Sequence, residues 1–254
     1  MVRALIGDDA LRTGLKQYFN NHQYGNAKGA DLWTALGDAA GIDVGAIMHS
    51  WLEQPGYPVV NVEVVDGQLT ISQQQFFIGE GQNAGRQWQI PLKGNYEVVP
   101  QILDQPTLSL GDYQQLRNEN GQPFRLNVGN ESHFIVHYAK DLLADILGAL
   151  DQLGAINQLQ ILQDLRLLAE GNQISYAKIV PLLEKFADSS SAVVNDVLYR
   201  LAGDLKKFVQ PDSKEEANLQ KLFNQLSAKQ VQRLGWKPRT AESNDDQLLS
   251  LIHI

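Results

Sequence analysis

Apolar positions along the 254-residue chain change period twice. Up to about Glu53 the period is helical. Leu11, Leu15, Tyr18 and Phe19 follow an i, i+4, i+7, i+8 pattern, with Asp8 placed as a cap and Asp9 in the first turn. Leu32, Trp33 and Leu36 form a second stripe that stops at Gly41. Asp43 caps a third helix carrying Val44, Ile47, Met48 and Trp51 on one face, and Gln54-Pro55-Gly56 ends it.

From Tyr57 the period becomes two. Val60, Val62 and Val64 alternate with other side chains, and Asp66-Gly67 supplies a hairpin turn before Leu69 and Ile71. Further short strands are predicted at Gln87–Leu92, Tyr96–Val99, Phe124–Val128 and Phe134–Tyr138, with turn signals at Gly94-Asn95 and Asn120-Gly121. Short strands at this spacing predict a small β-sandwich. After Tyr138 the helical period returns. Leu142, Leu143, Ile146 and Leu150 make one stripe; Ile161, Leu165, Leu168 and Ala169 make another. Pro181 sits in a third helical zone, and Val193, Val194, Val197, Leu198 and Leu201 mark a fourth. Such a series predicts stacked helical hairpins, although no strict repeat is present.

The expected fold is therefore multidomain α and β: a partial helical domain, a small β-sandwich, then an armadillo/HEAT-like array of α-helical hairpins. The boundaries fall at 1–55, 56–138 and 139–254. A chain that opens on part of a helical zone, and closes on an amphipathic pattern begun at Leu248-Leu249, is expected to be a piece of something longer.

Charge and composition narrow the function. A net charge of −8 argues against a sequence-independent grip on nucleic acid, which needs a basic surface. No apolar run approaches the roughly 20 residues that span a bilayer, and the first residues do not read as a signal peptide. With no cysteine there is no disulfide, thiolate nucleophile or cysteine-ligated metal, which suits a reducing cytoplasm.

Candidate chemistry is sparse. The histidines are His22, His49, His133, His137 and His253. His133 and His137 have the spacing of a His-Glu-x-x-His zinc helix, but Phe134 stands where the glutamate belongs. Their β-branched and aromatic surroundings predict a strand, on which residues four apart lie roughly 13 Å from each other, too far to share a zinc. Gly79-Glu80-Gly81 and Gly85 lack both the Rossmann spacing and a following helix, so a strand-to-strand loop is expected. Asp8-Asp9 and Asp245-Asp246 read as helix-start acids, and Ser189-Ser190-Ser191 as a linker that caps the next helix. Trp33, Trp51, Trp88 and Trp236 read as core anchors.

The segment from Trp51 through Gln54, Gly56, Tyr57 and Pro58 to Val62 resembles the Trp-x-x-Gln-x-Gly-aromatic-Pro signature of the aminopeptidase N family of zinc peptidases. Ordered matches flank it: Tyr24-Gly25-Asn26-Ala27 and Asp31-Leu32-Trp33 upstream; Leu69 to Gln73 with Phe76 and Phe77, Trp88-Gln89-Ile90-Pro91, and Asn127-Val128-Gly129 with Phe134 to Tyr138 downstream. Asp164, Leu168, Ala169, Ile174, Ser175 and Leu234-Gly235-Trp236 extend the resemblance through the helical zone. Departures include Ser132 in place of a glycine, Ile135 and Ser250 in place of arginines, and Asn172 where glycine usually ends a helix. Asparagine also tolerates the left-handed cap.

The resemblance implies the rear of an enzyme in which a zinc-activated water attacks the carbonyl carbon at a peptide's N-terminal residue. The family's zinc-binding, exopeptidase and catalytic-tyrosine motifs do not occur in these residues. No catalytic, substrate-binding or metal-ligating position is therefore assigned here, and zinc is expected only in the longer parent. Expected partners are the N-terminal catalytic portion of the same protein and, for the whole enzyme, peptide substrates. The resemblance implies a cytoplasmic location and inactivity of these residues alone. The alternative is a stand-alone, non-enzymatic peptide-binding scaffold.

Overall fold

The computed structural model describes residues 1–237, 239 and 242–252; His253 and Ile254, the last residue of the closing amphipathic pattern, lie outside them. Among the described residues the chain is mixed α and β, with ten α-helices, a four-stranded sheet and a two-stranded sheet. It divides into two compact units, Met1–Leu143 and Ala144–Ile254.

The first unit opens with α1 (Val2–Asn21), α2 (Gly29–Ala40) and α3 (Val44–Leu52). Gly7, at φ 79° and ψ 168°, breaks α1 into two helical pieces. The Asp8 carboxylate beyond that break accepts from Arg3, with Nε to Oδ1 at 2.6 Å. Asp31 closes the start of α2 by accepting the Lys28 N–H at 2.7 Å, and Gly41 ends it in the left-handed region. Asp43 accepts the Ala46 N–H at 2.8 Å and so caps α3, as its sequence position predicts. Leu36, Val44 and Met48 form the buried centre of this helical section, ringed by half-buried residues that include Leu11, Leu15, Trp33 and Trp51.

Strands β1 (Pro58–Val65) and β2 (Gln68–Gln75) form the hairpin that Asp66-Gly67 predicts; both turn residues have positive φ, 48° and 79°. The larger sheet runs β5 (Thr107–Asp112), β2, β1, β6 (Ile135–Tyr138), with β6 parallel to β1. Val59, Val60 and Val62 are wholly buried, because β1 is an interior strand. The smaller sheet pairs β3 (Ile90–Pro91) with β4 (Ile102–Leu103).

Two expected strands are absent as such. Tyr96–Val99 is a turn, and Phe124–Val128 makes a single bridge, Leu126 to Gly94, before Asn127 turns at φ 53°. The buried Asn127 amide then holds Ser132 through both its backbone N–H and its carbonyl. Between them lies α4 (Tyr113–Asn120), capped by Asp112 and ended by Gly121 at φ 66°. The Asn120-Gly121 turn signal is thus a helix end.

In the second unit, α6 (Ala155–Glu170), α7 (Tyr176–Leu183), α8 (Ala192–Asp204), α9 (Lys214–Leu234) and α10 (Asn244–Ile252) follow α5 (Lys140–Gly148), which crosses from the first. Leu162, Leu165, Leu168, Leu183, Val194, Leu198 and Leu201 are buried where these helices meet, whereas Val193 is exposed. Asn172 takes φ 56° at the end of α6, and the N–H of Gln173 reaches back to Leu168 O at 2.8 Å, so asparagine supplies the left-handed cap. No helix among the described residues is long and apolar enough to cross a membrane.

Candidate functional site

A groove of about 930 Å³ opens between α2 and α3 and the Gly41-Ile42-Asp43 turn joining them. It is lined by the small Gly29, Ala30, Gly37, Gly41 and Gly45, by the apolar Trp33 and Leu52, and by the polar Asp38, Asp43, His49 and Glu53. Gly37 is fixed by packing, since a Cβ there would stand 2.8 Å from Ile42 O. Asp43 is committed to its cap.

The signature stretch lies directly beyond this groove, and its chemistry is structural. Trp51 Nε1 donates to Gln89 O at 2.9 Å. The Gln54 amide donates to Ser50 O at 2.7 Å and to Gln87 O at 2.8 Å, while the Gln89 N–H donates to Ser50 Oγ at 3.0 Å. The next layer is held by Gln73, whose side chain donates to Trp88 O and accepts from Trp88 N at 3.0 and 2.8 Å. Gln75 is buried against Gly56: its amide donates to Pro55 O, and its Oε1 accepts from Arg86 Nη1 at 2.8 Å. Helix α3 is thereby stitched to the strand region by side-chain amides. Gln54 and Gln73 belong to the resemblance; Ser50, Gln75 and Arg86 carry no signal in the sequence that marks them for this role.

The other flagged residues are dispersed. His133 precedes β6, its ring 5.0 Å from that of Tyr57 and 6.0 Å from that of Trp51. His137 lies in β6 with Nδ1 3.0 Å from Asn61 Oδ1. Only His137 is therefore on the strand. Residues 76–89 form an irregular connection with no helix after the glycines. Trp88 is buried, Trp33 and Trp51 are half-buried, and Trp236 is 82% exposed, so Trp236 is no core anchor. The Ser191 side chain makes no cap bond; instead the buried Asn195 amide donates to the carbonyls of Ser189 and Ser191, and the Ala192 N–H reaches Asp245 Oδ2 at 3.4 Å. Asp246 pairs with Arg233, which holds its carboxyl below the usual range.

The main electrostatic cluster is in the second unit. Arg166 donates to Asp204 at 2.9 Å and pairs with Glu170 at 2.8 Å, and Lys207 meets the other Asp204 oxygen at 2.7 Å. Burial alone would raise the Asp204 pKa, but the hydrogen bonds from Lys207 and Arg166 outweigh it and hold the carboxyl below its ordinary value. Burial pushes the Tyr199 phenol up to about 12, and burial lowers Arg125 from its ordinary value.

Comparison with known proteins fits this layout. Residues 124–254 match the family model of the ERAP1-like C-terminal domain, and residues 1–51 match that of the Peptidase family M1 domain. Aminopeptidase N of Lactobacillus helveticus is 59% identical over 97% of this chain and 29% of its own length. Aminopeptidase N of Lactobacillus delbrueckii subsp. lactis is 55% identical over 97% and 29%. Tricorn protease-interacting factor F2 of Thermoplasma volcanium is 25% identical over 100% and 30%. The chain belongs to the aminopeptidase N family of metallopeptidases, and its second half is an ERAP1-like C-terminal domain. It spans about 30% of the length of the curated relatives it matches.

Among the described residues the zinc of that family finds no suitable donor set. Among the described residues no group of three or more His, Cys, Asp or Glu side chains could hold a metal ion. His137 faces an asparagine, and His133 packs against aromatic rings.

Proposed function

We propose that this chain is the rear portion of a zinc-dependent aminopeptidase that removes N-terminal residues from peptides in the cytoplasm. Residues 1–55 close its catalytic domain, 56–138 form a β-sandwich spacer, and 139–254 begin an armadillo-like helical array that restricts access to peptides. Its partners are the catalytic portion of the same protein and, through it, peptide substrates. The chain alone is inactive.

The observation that carries this reading is the join at Trp51. The match to the Peptidase family M1 domain covers residues 1–51, and Trp51 and Gln54 are tied by hydrogen bonds to Gln89 and Gln87 of the segment that follows. A fixed angle between a catalytic section and a spacer requires such a rigid seam, because loosely tethered sections move relative to one another. Zinc content and hydrolysis of a leucine chromogenic substrate by the purified chain test the proposal. Negligible metal and no turnover are expected; one zinc per chain with steady hydrolysis would overturn it.

A further inference from the structure

The helical section at the start of the chain covers its own apolar residues incompletely. Ala35, Leu36, Val44, Ile47 and Met48 are buried there, but the nine apolar residues packed around Leu36, Val44 and Met48 are only partly covered. A core residue in a finished domain is enclosed on all sides. Here the α2–α3 face ends instead in the groove of about 930 Å³. The glycine and alanine lining lets another backbone approach closely, since no side chain projects from Gly29, Gly41 or Gly45. Leu52, another lining residue, is 62% exposed. Asp38 and Glu53 give the groove negative charge.

We propose that this groove is the seat of another segment of the same peptidase domain: an apolar stretch with small side chains at its point of closest approach, flanked by a lysine or arginine that meets Asp38 or Glu53. The proposal rests on the reading of the chain as the rear of an aminopeptidase. The helices lining the groove are those matched to the Peptidase family M1 domain, and the chain spans 29% of the length of its Lactobacillus helveticus relative, which leaves most of such a protein to supply the occupant. A second copy is the poorer occupant. Two copies meeting symmetrically would set the acids of one groove against those of the other, on chains each carrying a net charge of −8.

The chain has no cysteine, so one introduced thiol reports on the groove cleanly. Thr34→Cys and Asp38→Cys place thiols on exposed groove positions. Maleimide labelling, located by peptide mass spectrometry, is compared in two settings: the 254-residue chain, and a full-length chimaera in which these residues replace the matching 29% of the Lactobacillus helveticus relative. Circular dichroism checks that each variant folds, and the urea-unfolded chain sets the unprotected rate. Labelling at near the unprotected rate in the chain and at least about tenfold slower labelling in the chimaera is the expected result. Thr34→Trp, which fills the groove, should leave the melting temperature of the chain unchanged and lower that of the chimaera by several degrees. Equal labelling in both settings overturns the proposal. So does protection of the chain alone that grows with concentration alongside a dimer in sedimentation, which would make a second copy the occupant. Failure of the rear-portion reading shows separately, as zinc and hydrolysis in the chain alone.

Discussion

The indole N–H of Trp51, the last aromatic residue of α3, donates to the carbonyl of Gln89 at 2.9 Å across 38 positions of sequence. The bond joins a helix to the strand region of the same unit, and the Trp51 ring also packs beside those of Trp88 and His133. Trp51→Phe keeps most of the packing and leaves a half-buried carbonyl short of a donor. It should cost about 1 kcal/mol in urea unfolding. Trp51→Ala also removes the ring and should cost about 3 kcal/mol or more. Equal losses for the two variants would show that the hydrogen bond carries the effect and the ring adds nothing.

Gly56 is required for two separate reasons. Its φ is +91°, and a Cβ there would stand 2.6 Å from Gln75 Nε2. The Gln75 amide has little room to move, being buried and held by Pro55 O and Arg86. Gly41 shares the positive φ, at +69°, but has nothing within 4 Å of its would-be Cβ. Gly41→Ala should therefore cost about 1 kcal/mol, the ordinary penalty of the left-handed region. Gly56→Ala should cost visibly more, because the Gln75 bonds are disturbed as well. Denaturant midpoints of the two variants, measured side by side, check the difference.

Asn172 tests the same backbone logic without a packing contribution. At φ 56° it ends α6 where glycine is the usual residue. Asn172→Ala should destabilise by about 1 kcal/mol, while Asn172→Gly should stay within about half of that in either direction. Thermal melts that rank glycine with alanine would contradict the cap assignment.

What was legible in the sequence follows from which forces leave a pattern in it. The helices α1 to α3, the β1–β2 hairpin and the caps at Gly41, Asp43 and Asn172 are set by local periodicity, by positive φ and, at Asp43, by a short side-chain acceptor, all of which the residues declare. Helix α4 was illegible because Tyr-Gln-Gln-Leu-Arg-Asn-Glu-Asn offers one buried side chain, Leu116, so no apolar stripe exists to be seen. The parallel pairing of β6 with β1 joins residues more than 70 positions apart, and nothing local encodes it. The groove was invisible for a related reason: it is defined by what does not cover α2 and α3. The join was half legible. Trp51, Gln54 and Gly56 stand in a recognisable signature, but the amide and hydroxyl partners on Gln75, Arg86 and Ser50 depend on contacts made only after folding.

Asp204 makes the second unit sensitive to acid. Its carboxylate accepts from Arg166 at 2.9 Å and from Lys207 at 2.7 Å, and its folded-state pKa is held below the ordinary value of 3.8. A depressed carboxylate pKa means that the unfolded chain takes up a proton at a higher pH than the folded one. The stabilisation is therefore complete above the unfolded value and is lost as pH falls through the folded one. Asp204→Asn should loosen α8 at pH 7 by about 1 kcal/mol, with Arg166 still partly solvated and Lys207 largely so. The gap between variant and parent should hold down to about pH 5 and close progressively below the ordinary carboxylate range. Amide exchange in Ala192–Asp204 reads this locally, without requiring both units to unfold together. A gap that stayed constant down to pH 2 would mean that the Asp204 charge is not what the ion pairs stabilise.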